Sequence, residues 1–247
     1  MVEWIPASSL KVVVQPEPLA LPNWLQQAVD AHWQMVIRDH PHFYRGPVLS
    51  VVAVSQRGAE RHVLARFTDY AHYLFSRHLP LADRFRVCPL FAAACPITRE
   101  GYLVVGQMAE ATARPLLVQA IGGTATPVDV EGTTFLATGS ALRQLHEVLG
   151  IDPARDLAAP AQLVGAAYEP GYALALAVRI DLPWDWPTLE ARTARYWAAR
   201  QAGQPTQEHS RLLALPWGEA GLEVLRSAQW EAARYLEAFL TQPSLRP

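Results

Sequence analysis

The sequence predicts a mixed α+β protein with an N-terminal strand–helix extension. Three observations predict it: short β-branched runs with strand character, stretches of helical spacing between them, and a sharply bounded helix downstream of a glycine pair. Residues 10–15 (LKVVVQ) and 48–55 (VLSVVAVS) read as strands, and the run from Leu21 to Pro41 between them reads as a helix. Its apolar positions are Trp24, Ala28, Ala31 and Met35, with Asn23 as N-cap and Pro41 as terminator. A strand over 63–67 then gives way to a helix through Tyr70, Leu74 and Phe75, which Thr68 or Asp69 can cap.

Residues 87–94 and 102–106 flank PITREG, a hairpin-like connection in which Gly101 is free to take a positive φ. A strand over 116–120 runs into Gly122-Gly123, and the stretch up to Ala137 lacks periodicity and reads as a loop. Two further strands flank the turn signal Glu169-Pro170-Gly171, and SAQWEAARYLEAFL reads as a closing amphipathic helix. These elements divide into an N-terminal α/β extension over 1–85 and a main unit over 86–247.

Composition narrows the function classes. A formal net charge of -2 supplies no general attraction for nucleic acid. The Arg-weighted stretch from Arg57 to Arg86 also holds Glu60, Asp69 and Asp83, so no nucleic-acid partner is expected. No leader pattern opens the chain and no apolar run reaches membrane-spanning length, which points to a cytoplasmic protein without a membrane partner. Cys88 and Cys95, separated by six residues in CPLFAAAC, read as buried reduced thiols. Lys11 is the only lysine amid abundant Arg, Ala, Leu and Pro, a bias associated with GC-rich bacterial genomes.

The loop and helix over 117–151 carry the chemistry. The helix is expected from Ser140 to Leu149, with Thr138 or Ser140 as N-cap and Gly150 in the left-handed position after it. Leu142, Leu145 and Leu149 form its packing stripe, while Arg143, Gln144 and Glu147 fall on the outward side. Arg143 and Glu147, four apart, can touch. A glycine-rich loop feeding a helix can receive phosphate oxygens, and carboxylates one turn apart can hold the Mg²⁺ that bridges them.

Arg143-Gln144-Leu145-His146-Glu147-Val148-Leu149-Gly150-Ile151 resembles the second half of the signature of the Nudix hydrolases, Arg-Glu-apolar-x-Glu-Glu-x-Gly-apolar. Gly122-Gly123 lies upstream of the family's usual spacing, which implies an inserted loop, and Asp129 and Glu131 fall within it. The preceding strands resemble those before the family's box. HPHFYRGPVLSVVAV and ARFTDYAHYLFSR are similar to the N-terminal region of the UDP-glucose pyrophosphatase branch, so the likeness covers residues 40–217.

The resemblance implies an α/β/α sandwich with the N-terminal extension and a nucleoside diphosphate derivative as ligand, a nucleotide sugar among the candidates. It implies Arg143, Gln144 and Glu147 at the catalytic positions, with Gly122, Gly123, Tyr44 and Asp69 toward the substrate. Glu147, Asp129, Glu131 and Glu208 are the implied ligands of Mg²⁺ or Mn²⁺, and a homodimer is the assembly to test. The family's box carries three carboxylates, of which Glu147 alone is present. Gln144 cannot serve as a base or neutralise a cation, and Val148 has no donor atom. Metal-dependent hydrolysis is therefore expected to be impaired. The alternative is a non-catalytic ligand sensor or interaction module on the same fold.

Three other features read as structural. Asp39, His40 and His42 belong to a helix-to-strand loop, His146 is solvated, and the tryptophans of DLPWDWP pack at the core or its rim.

Overall fold

A computed structural model of the protein describes residues 1–78, 85–201 and 208–246; Asp83 of the Arg-weighted stretch lies outside them. The chain runs β1 (Glu3–Pro6), β2 (Leu10–Gln15), α1 (Asn23–Asp39), β3 (Pro47–Arg57), β4 (Glu60–Asp69) and α2 (Tyr70–His78). It continues through β5 (Leu90–Ile97), β6 (Leu103–Met108), β7 (Val118–Gly122), β8 (Val130–Glu131), β9 (Thr134–Phe135) and α3 (Ala137–Leu149). The rest is β10 (Gln162–Glu169), β11 (Ala173–Asp181), α4 (Trp186–Gln201), β12 (His209–Leu215), α5 (Glu219–Ser227) and α6 (Tyr235–Thr241). The mixed α+β class expected from the sequence is the class observed.

A seven-stranded sheet has the order β1-β10-β11-β5-β7-β6-β12, and a five-stranded sheet the order β3-β4-β2-β9-β8. The larger sheet is the middle layer. One face packs Ala92, Val104, Ile121 and Leu176 against Ala141, Leu145 and Leu149 of α3. The opposite face packs Ala93, Val105, Ala120 and Ala177 against Leu222 and Leu225 of α5 and Leu236, Phe239 and Leu240 of α6. Strands buried on both faces read as near-continuous apolar runs rather than alternating ones. The all-buried stretch from Ala92 to Ile97 in β5 follows that rule.

Strands on either side of residue 85 pair with each other. β1 joins the larger sheet beside β10, with Ile5 opposite Ala166. In return, β9 pairs with β2 of the smaller sheet through Val13 and Thr134.

The buried face of α1 is Leu25, Val29 and Trp33, which pack on Ala71, Leu74 and Phe75 of α2. Trp24 and Met35, placed in the packing stripe by spacing alone, are 58% and 53% exposed. The Leu-Val-Trp stripe removes more apolar area from water than one containing two alanines, so the helix turns that face inward. Asn23 makes no side-chain cap; Pro22 occupies the N-cap position. Asp69 does cap α2, its Oδ1 accepting from the His72 amide at 2.9 Å.

The closing helix is broken. After α5 the chain takes a positive φ of 53° at Gln229 and pairs Ala232 with Val118 of β7. The Val118 amide donates to Glu231 and the Ala233 amide to Val118, so backbone pairing displaces helix there until Tyr235. Cys88 and Cys95 are buried and unpaired. Among the described residues, no helix is long and apolar enough to cross a membrane.

Candidate functional site

The loop between β7 and α3 is built around one carboxylate. Asp129 Oδ2 accepts from the Thr126 amide at 2.8 Å and from Thr126 Oγ1 at 3.0 Å, closing a short 3-10 turn over Pro127–Asp129. The same oxygen accepts from Arg143 Nη2 at 2.7 Å, and Oδ1 from Arg143 Nε at 3.4 Å. Asp129 is only 5% exposed. Burial by itself raises its pKa, but the Arg143 and Thr126 hydrogen bonds together outweigh that and hold it below the usual carboxylate range. Arg143 also reaches Glu147 at 3.3 Å, as the four-residue spacing anticipated.

α3 begins three residues earlier than expected. Neither Thr138 nor Ser140 caps it: Leu136 occupies the N-cap position, its carbonyl accepting from the Ser140 amide at 2.9 Å. Ser140 lies inside the helix, buried, and its Oγ has no hydrogen-bond partner among the described residues. Gly150 closes the helix with a φ of 69°, the left-handed conformation anticipated for it.

Gln144 departs from its expected outward placement. It is 7% exposed and lies against Gly123, where a β-carbon would stand 2.5 Å from Gln144 Oε1. Gly122 is equally constrained, since a β-carbon there would meet the Ala92 carbonyl oxygen at 2.8 Å. The glycine pair thus lets β7 run close to β5 and lets the Gln144 amide seat on the chain. Val148 is 8% exposed within the core cluster.

The carbonyl end of α3 is clamped by α4, an element the sequence reading did not anticipate. Tyr196 Oη donates to the Glu147 carbonyl at 3.2 Å, Trp197 Nε1 to the Val148 carbonyl at 2.6 Å, and Arg200 also donates to the Glu147 carbonyl. These donors satisfy acceptors that a helix end leaves unpaired. The tryptophans of DLPWDWP do pack at the core rim, with Arg192 stacked 4.0 Å from the Trp184 ring centroid.

Beside this helix lies a cleft of about 350 Å³. Its walls carry Phe43, Tyr70, Tyr73 and Phe91, and it opens on Gly122, Gly123, Thr124 and Glu208. Phe43 and Tyr70 meet edge to face at 6.0 Å, and Tyr70 stacks on Tyr73 at 5.7 Å. His42, at the cleft margin, contacts the Ala111 carbonyl through Nε2 at 2.8 Å.

Glu208 sits immediately before β12, as expected, with its carbonyl accepting from the Ala109 amide at 2.9 Å. Glu208 is exposed and lines the cleft. Desolvation, with a smaller contribution from the Glu147 charge, pushes its pKa up to about 7. Burial, then Tyr73 and Glu208, push Tyr70 up to about 12. His209, the next residue, is 1% exposed with no partner for either ring nitrogen among the described residues, and its ring fills the space above Gly106.

The remaining expected site residues lie apart from the cleft. Tyr44 is 78% exposed and packs its ring beside Gly46. Asp69 serves the α2 cap and a 2.8 Å ion pair with Arg45. Glu131 is exposed in β8 at the edge of the smaller sheet. Of the expected metal ligands, Glu147 and Glu208 are electrostatically coupled, whereas Asp129 is committed to Arg143. Among the described residues, no three His, Cys, Asp or Glu side chains stand together as a metal site. In the loop after α1, His40 and His42 flank Phe43 in an aromatic corner, with His40 stacked on Phe43 at 4.8 Å, while Asp39 is the last residue of α1 and pairs with Arg38 at 3.6 Å.

No family model and no curated protein matches the chain. Solved structures do. The chain is similar to a protein from Deinococcus radiodurans at 12% identity and a TM-score of 0.41, covering 65% of this chain and 94% of that one. It is similar to a mutT/nudix family protein from Listeria innocua at 14% identity and a TM-score of 0.39, covering 61% and 88%. The NUDIX domain of Shewanella oneidensis NrtR, complexed with ADP ribose, matches at 13% identity and a TM-score of 0.38, covering 69% and 96%. These are similarities of fold.

Proposed function

We propose that the protein is a Nudix-type binder of a nucleoside diphosphate derivative in which the family's metal-dependent hydrolysis is impaired. The observation that carries the reading is the aromatic cleft opening onto Gly122, Gly123 and Thr124 beside the helix that bears Arg143 and Glu147. Rings at the cleft walls suit the stacking of a base, and apolar walls with a few polar groups suit a small ligand. The polar end would meet the glycine pair and the loop ahead of α3.

The donor set does not fit the Mg²⁺ or Mn²⁺ that the family implies. Asp129 has both oxygens engaged by Arg143, Val148 is apolar and packed, and Gln144 is a neutral amide seated on Gly123. Glu147 and Glu208 are left, and Mg²⁺ bound through so few carboxylates depends on phosphate oxygens from its ligand. The side chains present bind and orient: the rings hold the base, and Glu208 can accept or release a proton near neutrality.

The test is calorimetric titration with ADP, ADP-ribose and UDP-glucose, together with product analysis in Mg²⁺ or Mn²⁺. The expected result is binding without efficient turnover. Failure of all three to bind overturns the reading; efficient turnover that disappears in Glu147→Gln overturns the impairment. An interaction module is the second reading, and the exposed Trp24 and Met35 on α1 favour it. Dimerisation that Trp24→Ser abolishes, in a protein that binds no nucleotide, would support that reading.

A further inference from the structure

Three guanidinium groups gather on one turn beside the cleft. The turn between β10 and β11 has Gly171 at a φ of 73° and Tyr172 43% exposed. Arg77 lies 5.7 Å and Arg234 4.7 Å from the Tyr172 ring centroid. Arg86 comes alongside Gly171, its Nη1 3.7 Å from where a β-carbon would stand. Glu169 pairs with Arg234 at 2.6 Å. Arg77 and Arg86 have no carboxylate partner among the described residues.

The turn belongs to the same end of the sheet as the cleft. Leu174 at the start of β11 donates its amide to Pro89, and Pro89, Leu90 and Phe91 line the cleft. On α2, Tyr73 lines the cleft and Arg77 follows one turn later, 6.0 Å from the Tyr73 ring. Four residues of helix advance about 6 Å, so the arginines begin where the aromatic wall ends. Crowded like charges repel, and a guanidinium offers the planar donor fork that phosphate oxygens accept.

We propose that Arg77, Arg86 and Arg234, gathered around the Gly171-Tyr172 turn, form an anion subsite at the cleft rim that holds a phosphate group of a phosphorylated small molecule. It extends the ligand reading above by a second phosphate position, distinct from the glycine pair. The site selects ligands bearing a phosphate at both ends over those carrying a single diphosphate.

Two measurements on the intact chain test it. In the first, melting temperature is followed in inorganic phosphate against chloride of equal ionic strength, for wild type and Arg77→Gln/Arg86→Gln. Phosphate should raise the wild-type melting temperature by several degrees, an effect the variant loses; an equal or absent effect overturns the subsite. Among the described residues neither arginine has a carboxylate partner to lose, so the variant should fold, and circular dichroism checks this. In the second, calorimetry compares ADP with adenosine 3′,5′-bisphosphate. At least tenfold tighter binding of the bisphosphate, abolished in the variant with ADP affinity unchanged, supports a second phosphate of an organic ligand. Equal affinities overturn that assignment and, if the melting effect is present, leave free inorganic phosphate as the occupant. A protein that binds no ADP but keeps the phosphate effect has lost the nucleotide reading and kept the subsite.

Discussion

Glu208 is the carboxylate that lines the cleft, and Glu147 stands close enough to influence it. Desolvation first, and Glu147 second, raise the Glu208 carboxyl to about 7. A carboxyl whose folded pKa is raised binds protons more tightly in the folded state, so its contribution favours folding at low pH. That contribution declines as pH rises from the unfolded value near 4.5 through about 7. Glu147→Gln removes the neighbouring charge, so the Glu208 midpoint should fall in a ¹³C-glutamate NMR titration; an unmoved midpoint would show the two carboxylates to be independent. Asp129 behaves oppositely. Its folded pKa is depressed, so its stabilisation is present above the ordinary aspartate value near 3.8 and is lost as pH falls through the folded one. Asp129→Asn weakens charge-assisted bonds to Arg143 and disturbs those to Thr126, which should cost about 2 kcal/mol in urea unfolding at pH 7. A cost near zero would mean that the loop holds its shape without the ion pair.

At the scale of elements, α3 is held at both ends by groups outside its own sequence: the Asp129 loop at the front, and Tyr196, Trp197 and Arg200 of α4 at the back. Gly150 joins two demands, since its φ is positive and a β-carbon would stand 2.5 Å from the Tyr196 ring. Gly150→Ala should therefore cost more than the roughly 1 kcal/mol of left-handed strain alone, with about 2–3 kcal/mol expected from chemical denaturation. A loss below 1 kcal/mol would indicate that α4 shifts freely. Much of this helix was legible beforehand, because the terminating glycine and the Arg143–Glu147 spacing are local properties of the chain. The inward seat of Gln144 was not. It depends on Gly123 arriving opposite it from another strand, and helical periodicity cannot register a gap supplied by a distant glycine. α1 errs for the same reason: two apolar stripes lie side by side on it, and the partner surface of α2 selects between them. The site shows this limit most clearly, since Tyr70, Tyr73, Phe91 and Glu208 converge on the cleft only through tertiary folding.

At the scale of the molecule, the two sheets exchange strands. β1 completes one edge of the larger sheet, and the next strand, β2, lies inside the smaller one, flanked by β4 and β9. β9 in turn belongs to the loop that carries Asp129 and precedes α3, so the smaller sheet braces the loop that positions Arg143. Ile5 is 3% exposed and Phe135 7%, and both join the core cluster that contains Leu145 and Leu149. Residues 1–85 and 86–247, separable by sequence pattern, should then unfold together, because neither can leave without stripping backbone partners and apolar cover from the other. The check is urea unfolding followed by tryptophan fluorescence, far-ultraviolet circular dichroism and proteolysis of the smaller sheet. Coincident midpoints are expected, with a denaturant slope appropriate to the full chain. A chain lacking residues 1–9 loses β1 and exposes the β10 edge, and should shift the single transition to lower urea without splitting it. Two separated transitions in the intact chain would show instead that the exchanged strands are too short to couple the sheets, and that the loop bearing Asp129 can open while the core around α3 stays folded.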